Sequence, residues 1–502
     1  MLNKKNFIYQ ENIFYLLLIA IISLAVTFYS GFRGVYPIDS FIIFDSGYKI
    51  INNIHPFKDY WSITGPFVDY LQSIFFLILG INWFSYVFHA AFINTLLSGI
   101  FFYFLREFGF KKNFSFLYSV CISILAYPTA GTPFVDHHAF FFSIIAACFF
   151  ILSLKKNKKI FWILSSSFLI VSFLSKQIPS SYLIIFFSLI ALLKYFQKKK
   201  SNCLFFFYSL VFGFLFFSLF FFINQVSLDS FLTQYIFYPL TIGDERIENF
   251  KFNFNNVFLQ FKFIYLALFP LIPILFLELK KKIFSDNSLI LITVIITVLI
   301  LIYSQIIMKN QILIFFLIPW CLSLTHIFIQ DFRNDKILIF LLILLLSFTT
   351  VKYHIRFNEN KKFMELENID LGKAVNAKII DPSLKGLMWI HKRYADRPEY
   401  ELSKLIEIKN IISKDLNNKI IISDYQFLPF VTGNKNFTPN KWLDRLSVPR
   451  EENDYYKKYE KFFMNKLKNQ NIVNVYIVDE SKLNLFLPLL KNSSCYTSSR
   501  IN

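Results

Sequence analysis

The sequence predicts a polytopic α-helical membrane protein, with about eleven transmembrane helices and a small C-terminal exoplasmic α/β domain. Three observations carry that prediction. Of 502 residues, 55% are hydrophobic and only 17% charged, which is poor in charge for a soluble domain. The hydrophobic residues fall in runs of about the length a bilayer requires. Basic connections between those runs alternate with acidic, aromatic ones, as they do when cytoplasmic loops are marked by Lys and Arg.

The runs are 12–30, 83–105, 114–130, 139–154, 160–174, 178–193, 204–223, 261–277, 289–307, 312–329 and 337–351. Several fall short of the ~20 residues of an ideal span, which neighbours or local thinning can accommodate. The opening MLNKKN has the charge order of a signal peptide, but the apolar run after it is long and lacks a small-x-small cleavage site, so it reads as a retained first helix. Residues 68–81, VDYLQSIFFLILGI, are apolar but short, and fit an interfacial or re-entrant helix.

With the N-terminus cytoplasmic, Arg106 with Lys111 and Lys112, the KKNKK of 155–159, Lys198 to Lys200, Lys280 to Lys282, and Arg333 with Lys336 all fall on one side. The opposite connections are 31–82, 131–138, the SKQIP turn, 226–260 and 308–311. An odd helix count places the tail outside too. The net charge of +19 is therefore topology, and no nucleic-acid partner is implied; the partner is the bilayer. Cys121, Cys148, Cys203 and Cys321 lie in apolar runs and only Cys495 in a polar region, which leaves no disulfide framework and no CxxC knuckle.

The chain is thus expected to comprise a membrane domain, 1–351, whose first exoplasmic loop is 31–82, and a soluble domain, 352–502. In the tail LSKLIEIKNIISKDL reads as helix, KIIISDY and NIVNVYIVDE as strands, and FVTGNKNFTPNKW as turn.

Ionisable residues at membrane depth or edge are expensive and commonly line a cavity. On the predicted exoplasmic side they include Asp39, Asp45, Lys49, His55, Lys58, Asp59 and Asp69, then Asp136, His137 and His138, then Lys176, then Asp244, Glu245, Arg246 and Glu248, and Lys309. Acids and bases offered from several loops to one face suit a site where a polar substrate meets something embedded in lipid. A sugar on a polyprenyl phosphate is such a substrate. Its leaving group is already a stable anion, so the protein need supply a carboxylate for the acceptor's proton, cations for the phosphate and walls that exclude water.

Asp45 shortly after the first helix, the YKIINNIHPFKDY that follows, and the Gly-Pro of WSITGPFVDYL leading into FLILGIN together resemble the membrane-embedded GT-C glycosyltransferases. The branch is that of the dolichyl-phosphate-mannose protein mannosyltransferases and the lipid A and lipopolysaccharide glycosyltransferases. FLSKQIPSSYLII and MKNQILIFFLIPWCLSL resemble further turns of that family, and the likeness spans 12–351 as architecture.

The resemblance implies an inverting transfer of a hexosyl or pentosyl group from a polyprenyl-phosphate-linked donor to a lipid, glycan or protein acceptor. In a bacterium the transfer would occur at the periplasmic face of the inner membrane. It implies Asp45 as catalytic base, although family members often carry Asp-Glu where this chain has Asp45-Ser46, so Asp39 competes for the role. It also implies that Asp136 contributes to the site, with His137 and His138 as partners for donor phosphate or a divalent metal; Lys176, Arg246 or Lys309 is read as the cation that neutralises the departing phosphate.

Each residue has an ordinary structural reading as well. Asp45 and Asp136 suit helix N-caps, Lys176 suits a side chain snorkelling to the interface, and adjacent His residues point in different directions on a helix. A metal is left open. A polysaccharide polymerase or ligase, or a flippase of lipid-linked sugar, are the alternatives; the internal repeats and paired broken helices common in transporters are not evident in the sequence.

Overall fold

In a computed structural model of the chain, the residues described are 2–126, 131–197, 202–248, 253–308, 313–332, 335–435, 437–491 and 496–499. They are mostly helical. Among them, eight helices are long and apolar enough to cross a membrane: Asn12–Gly31, Trp83–Glu107, Val135–Lys156, Ser180–Gln197, Leu204–Ile223, Lys262–Lys281, Asp286–Ile307 and Lys336–Met364. The chain is a multi-pass integral membrane protein by that measure.

Three of the expected spans come out shorter, as Lys112–Ala126, Lys159–Ser175 and Leu317–Phe332. At 1.5 Å per residue, their 15, 17 and 16 residues reach less than the ~30 Å hydrocarbon core. Apolar sequence does not tell helix from buried turn. Leu313 to Phe316, which prolong the 312–329 run, are buried but lie in a turn, and the end of the 114–130 run, 127–130, lies outside the described residues. The 68–81 stretch forms a short helix, Phe67–Leu79.

The chain divides into two compact units. The first comprises Met1–Gly34, Val87–Ser218 and Glu245–Leu371. Its centre is Val135–Lys156, whose span is buried along its whole length, as expected of a helix apolar on every side. Lys159–Ser175, Ser180–Gln197 and Asp286–Ile307 pack against it. The KKNKK connection is compact because Asn157 closes the central helix at φ 47°, a left-handed conformation that Asn tolerates.

Small residues let these helices approach closely. The hydroxyl of Ser172 donates to the carbonyl of Ala139 at 2.7 Å and lies 2.9 Å from that of Ser143. A Cβ on Gly213 would meet Ile170 Cδ1 at 2.2 Å. By contrast, Val211, Phe212, Leu215 and Phe216 on Leu204–Ile223 are exposed, the arrangement of a face that meets lipid.

The second unit comprises Val35–Tyr86, Leu219–Asp244 and Gly372–Asn502. Strands β1 (Val375–Asn376) and β2 (Met388–Trp389) pair antiparallel. Strands β3 (Lys419–Ile422) and β4 (Asn474–Ile477) pair parallel, with Ile420 opposite Val475. Parallel neighbours need a crossover, and here the chain between them includes Tyr456–Asn469. This small mixed α/β region matches the strands expected from KIIISDY and NIVNVYIVDE. The expected helix is Pro398–Lys414, started by a proline at its first position.

The core of the unit joins Ile420 and Ile422 to Tyr459, Phe463 and Phe486, and takes in Trp61 of the first loop. Trp61 donates its backbone N–H to Pro439 O at 2.6 Å and accepts from Lys441 N at 2.9 Å.

Candidate functional site

The candidate residues fall in both units, and each unit holds its own group. In the first, Asp136 occupies the opening turn of Val135–Lys156, behind Phe134 as N-cap. It is therefore not the cap that its position in the sequence suggested; a carboxylate in a first turn still complements the helix dipole. Lys176 is the residue at which Lys159–Ser175 ends. Because the two helices are packed antiparallel neighbours, the start of one meets the end of the other, and Lys176 Nζ donates to Asp136 Oδ1 in an ion pair. The Asp136 side chain is buried at 8% exposure and the Lys176 side chain half-buried at 18%, so the lysine is the member of the pair nearer the surface.

The adjacent histidines diverge, as the helix requires. His137 stacks on Phe141 with ring centroids 5.3 Å apart. His138 places Nδ1 2.8 Å from Phe134 O and Nε2 3.0 Å from His89 Nε2. The carbonyl can only accept, so Nδ1 of His138 carries the proton and His89 donates to its Nε2. The two neighbours thus do not converge on one ion. Among the described residues no group of three or more His, Cys, Asp or Glu side chains is arranged to hold a metal. Arg246 sits half-buried near the end of Tyr238–Glu248, and Lys309 lies outside the described residues.

In the second unit, Asp39 lies half-buried on the short helix Pro37–Ser40. Asp45 lies inside the next helix, Ile42–Ile51, which starts behind Phe41, so it too is not a cap. Its carboxylate contacts Lys49 Nζ at 2.9 Å across one helical turn, and the two side chains are 2% and 0% exposed. Lys49 also donates to Asn440 O at 3.1 Å and lies over the Tyr60 ring.

The other loop acids are matched by tail lysines that sequence reading did not single out. Lys441 Nζ lies 2.6 Å from Asp69 Oδ1, both fully buried, and Tyr60 donates to Asp69 Oδ2 at 2.9 Å. Lys466 Nζ lies 3.2 Å from Asp59 Oδ1. Burial pushes the Asp69 carboxyl up and Lys441 pulls it back; burial pushes Lys441 down and Asp69 pulls it back. Burial also lowers the Lys466 ammonium, against the pull of Asp59. The only sequence signal for these partners was that charged residues interrupt otherwise apolar or turn-rich segments, NKW among them.

A carboxylate beside an ammonium can take a proton from a hydroxyl while the cation faces an anion. Of the two pairs involving candidate residues, Asp136 with Lys176 keeps a partly exposed lysine, and Asp45 with Lys49 is enclosed. No protein-family model and no curated protein matches this chain.

Proposed function

We propose that the protein is an integral membrane glycosyltransferase of the GT-C type, moving a sugar from a polyprenyl-phosphate carrier to an acceptor at the exoplasmic face, the periplasmic face in a bacterium. The observation that carries the reading is the Asp136–Lys176 pair, its lysine partly exposed, at the meeting ends of two apolar helices. Such a pair suits a donor whose lipid is in the membrane and whose phosphate is at its edge.

The donor phosphate competes with Asp136 for Lys176. Once the ammonium turns to the phosphate, the carboxylate is released to accept a proton. The acceptor hydroxyl oxygen then attacks the anomeric carbon, the bond from that carbon to the phosphate oxygen breaks, and polyprenyl phosphate leaves with the electron pair. The acceptor's proton passes to the carboxylate, and direct displacement inverts the anomeric centre. Asp45, the base implied by the family resemblance, and Asp39 are the competing carboxylates; Arg246 and Lys309 are further candidates for the phosphate. Asp45 would have to be uncovered from Lys49 before it could act.

The test is transfer of labelled sugar from a panel of polyprenyl-phosphate sugars by membranes carrying wild type, Asp136→Asn, Lys176→Met, Asp45→Asn or Asp39→Asn. Asp136→Asn should lower turnover by about 100-fold or more at unchanged protein level. Retained transfer in that variant with loss in Asp45→Asn or Asp39→Asn moves the base to the first loop. A wild type that consumes no donor ends the reading, and movement of intact lipid-linked sugar across the bilayer would replace it with a flippase.

A further inference from the structure

The second unit holds a cleft of about 570 Å³ at the carboxyl ends of β3 and β4, the edge at which parallel α/β sheets bind ligands. The volume lies within the ~300–1,000 Å³ of small-molecule sites. Its wall includes His391, Arg393, Asp424, Tyr425, Asp479 and Glu480, none of which takes part in the transfer described above.

Part of this lining is held by Glu401, which is buried at 2% exposure. Its carboxylate accepts from Trp389 Nε1 at 2.8 Å, Tyr425 Oη at 2.7 Å and His391 Nδ1 at 3.0 Å. A carboxylate that collects these donors fixes the imidazole orientation and tautomer. With Nδ1 committed to Glu401, Nε2 is the ring nitrogen of His391 left for a ligand.

Other lining residues are also braced. Asp479 Oδ2 accepts from Ser423 Oγ at 2.9 Å and Asp424 N at 2.8 Å, and Asp424 pairs with Lys482 at 2.8 Å. The lining is therefore rich in acceptors, with Arg393 as its cation and Tyr36 and Tyr425 as aromatic surfaces.

That inventory selects a ligand class. A phosphate or carboxylate would meet Asp424, Asp479 and Glu480 and is disfavoured. A bare cation would meet Arg393, and Asp424 is already satisfied by Lys482. A neutral polyol fits, because its hydroxyls donate to the carboxylates, accept from Arg393 and can pair with His391 Nε2 in either sense, and its C–H faces can lie on tyrosine. We propose that this cleft binds a neutral saccharide, a class that rests on the lining alone.

The test is calorimetric titration of the full-length protein in nanodiscs with a panel of neutral oligosaccharides, beside inorganic phosphate and Ca²⁺. Wild type should bind a saccharide. His391→Ala should weaken binding at least tenfold, and Asn484→Ala, an exposed lining residue whose loss leaves the fold intact, by severalfold.

No saccharide binding, binding indifferent to both variants, or phosphate or Ca²⁺ binding with the same sensitivity overturns the proposal. The transfer assay separates the two readings. Variant-sensitive saccharide binding without transfer supports the site and overturns the transfer reading alone.

Discussion

The two units hide their polar groups in different ways. In the first, buried hydroxyls mostly turn back on their own helix: Ser119 donates to Ser115 O at 2.8 Å, Thr293 to Leu289 O at 2.7 Å and Thr349 to Leu345 O at 2.8 Å. In the second, buried groups find partners far along the chain, with Lys441 on Asp69 and Lys466 on Asp59. A helix surrounded by lipid must satisfy itself locally. A loop joined to a folded tail can rely on residues hundreds of positions away, and those residues then fix which segments belong together.

The contrast breaks most visibly at Asp69. Lys441→Met leaves a buried carboxylate unpaired and should cost about 3–5 kcal/mol, read as a fall in the denaturation midpoint and as new protease cleavage in 372–502. Adding Asp69→Leu to Lys441→Met should recover most of that loss, because the penalty belongs to the orphaned charge. If the single variant is as stable as wild type, the long-range pairing is not what holds the second unit.

The first unit should yield less to loss of a charge or hydroxyl and more to added volume. A Cβ on Gly31 would lie 2.5 Å from Gly131 O and 2.6 Å from Val87 Cγ1, so Gly31→Ala should cost about 1–3 kcal/mol in a thermal unfolding series in detergent. Asn94 Nδ2 donates to Thr27 Oγ1 at 3.0 Å and Ser123 O at 2.9 Å. Asn94→Ala should nevertheless cost only about 0.6–1.7 kcal/mol in the same measurement, the range for interhelical hydrogen bonds in membranes.

The smallest effect expected is on pH. Burial pushes the Asp381 carboxyl up, but hydrogen bonds from Lys409 at 2.7 Å and Ser383 outweigh it and hold the group below its usual range. A depressed carboxyl stabilises the fold above its unfolded pKa of about 3.9 and loses that contribution as pH falls through the lower folded value. Lys409→Met should flatten this acid limb by under about 1 kcal/mol, seen by comparing unfolding midpoints from pH 5 downwards.

Much of the helical layout was legible because apolar runs are local signals. The sequence runs all correspond to helices, and β3 and β4 were visible as IIIS and VNVYI. The shortened helices were not, since Leu313 to Phe316 are as apolar as any span yet form a turn. At the candidate site the residue types were legible and the pairings were not. Asp136 and Lys176 both stood out, but their contact depends on the tight Asn157 turn that brings one helix back along the other. Asp45 stood out as an acid near a membrane edge; that Lys49 covers it follows from the helical register placing residues one turn apart on one face. Lys441 carried only the weak signal of a charge in the turn-rich NKW and Glu401 none, because the groups that give them meaning come from other segments.

The Asp69–Lys441 pair also imposes an order of events during synthesis. Its members are separated by 372 positions, and at about 5–20 residues per second the ribosome needs on the order of tens of seconds to supply the second after the first. Throughout that interval the opening loop has left the ribosome while its counter-charge does not yet exist. The loop therefore stays unfinished, wet and open while the later helices are inserted, and only the arrival of the tail allows its acid to be sealed away.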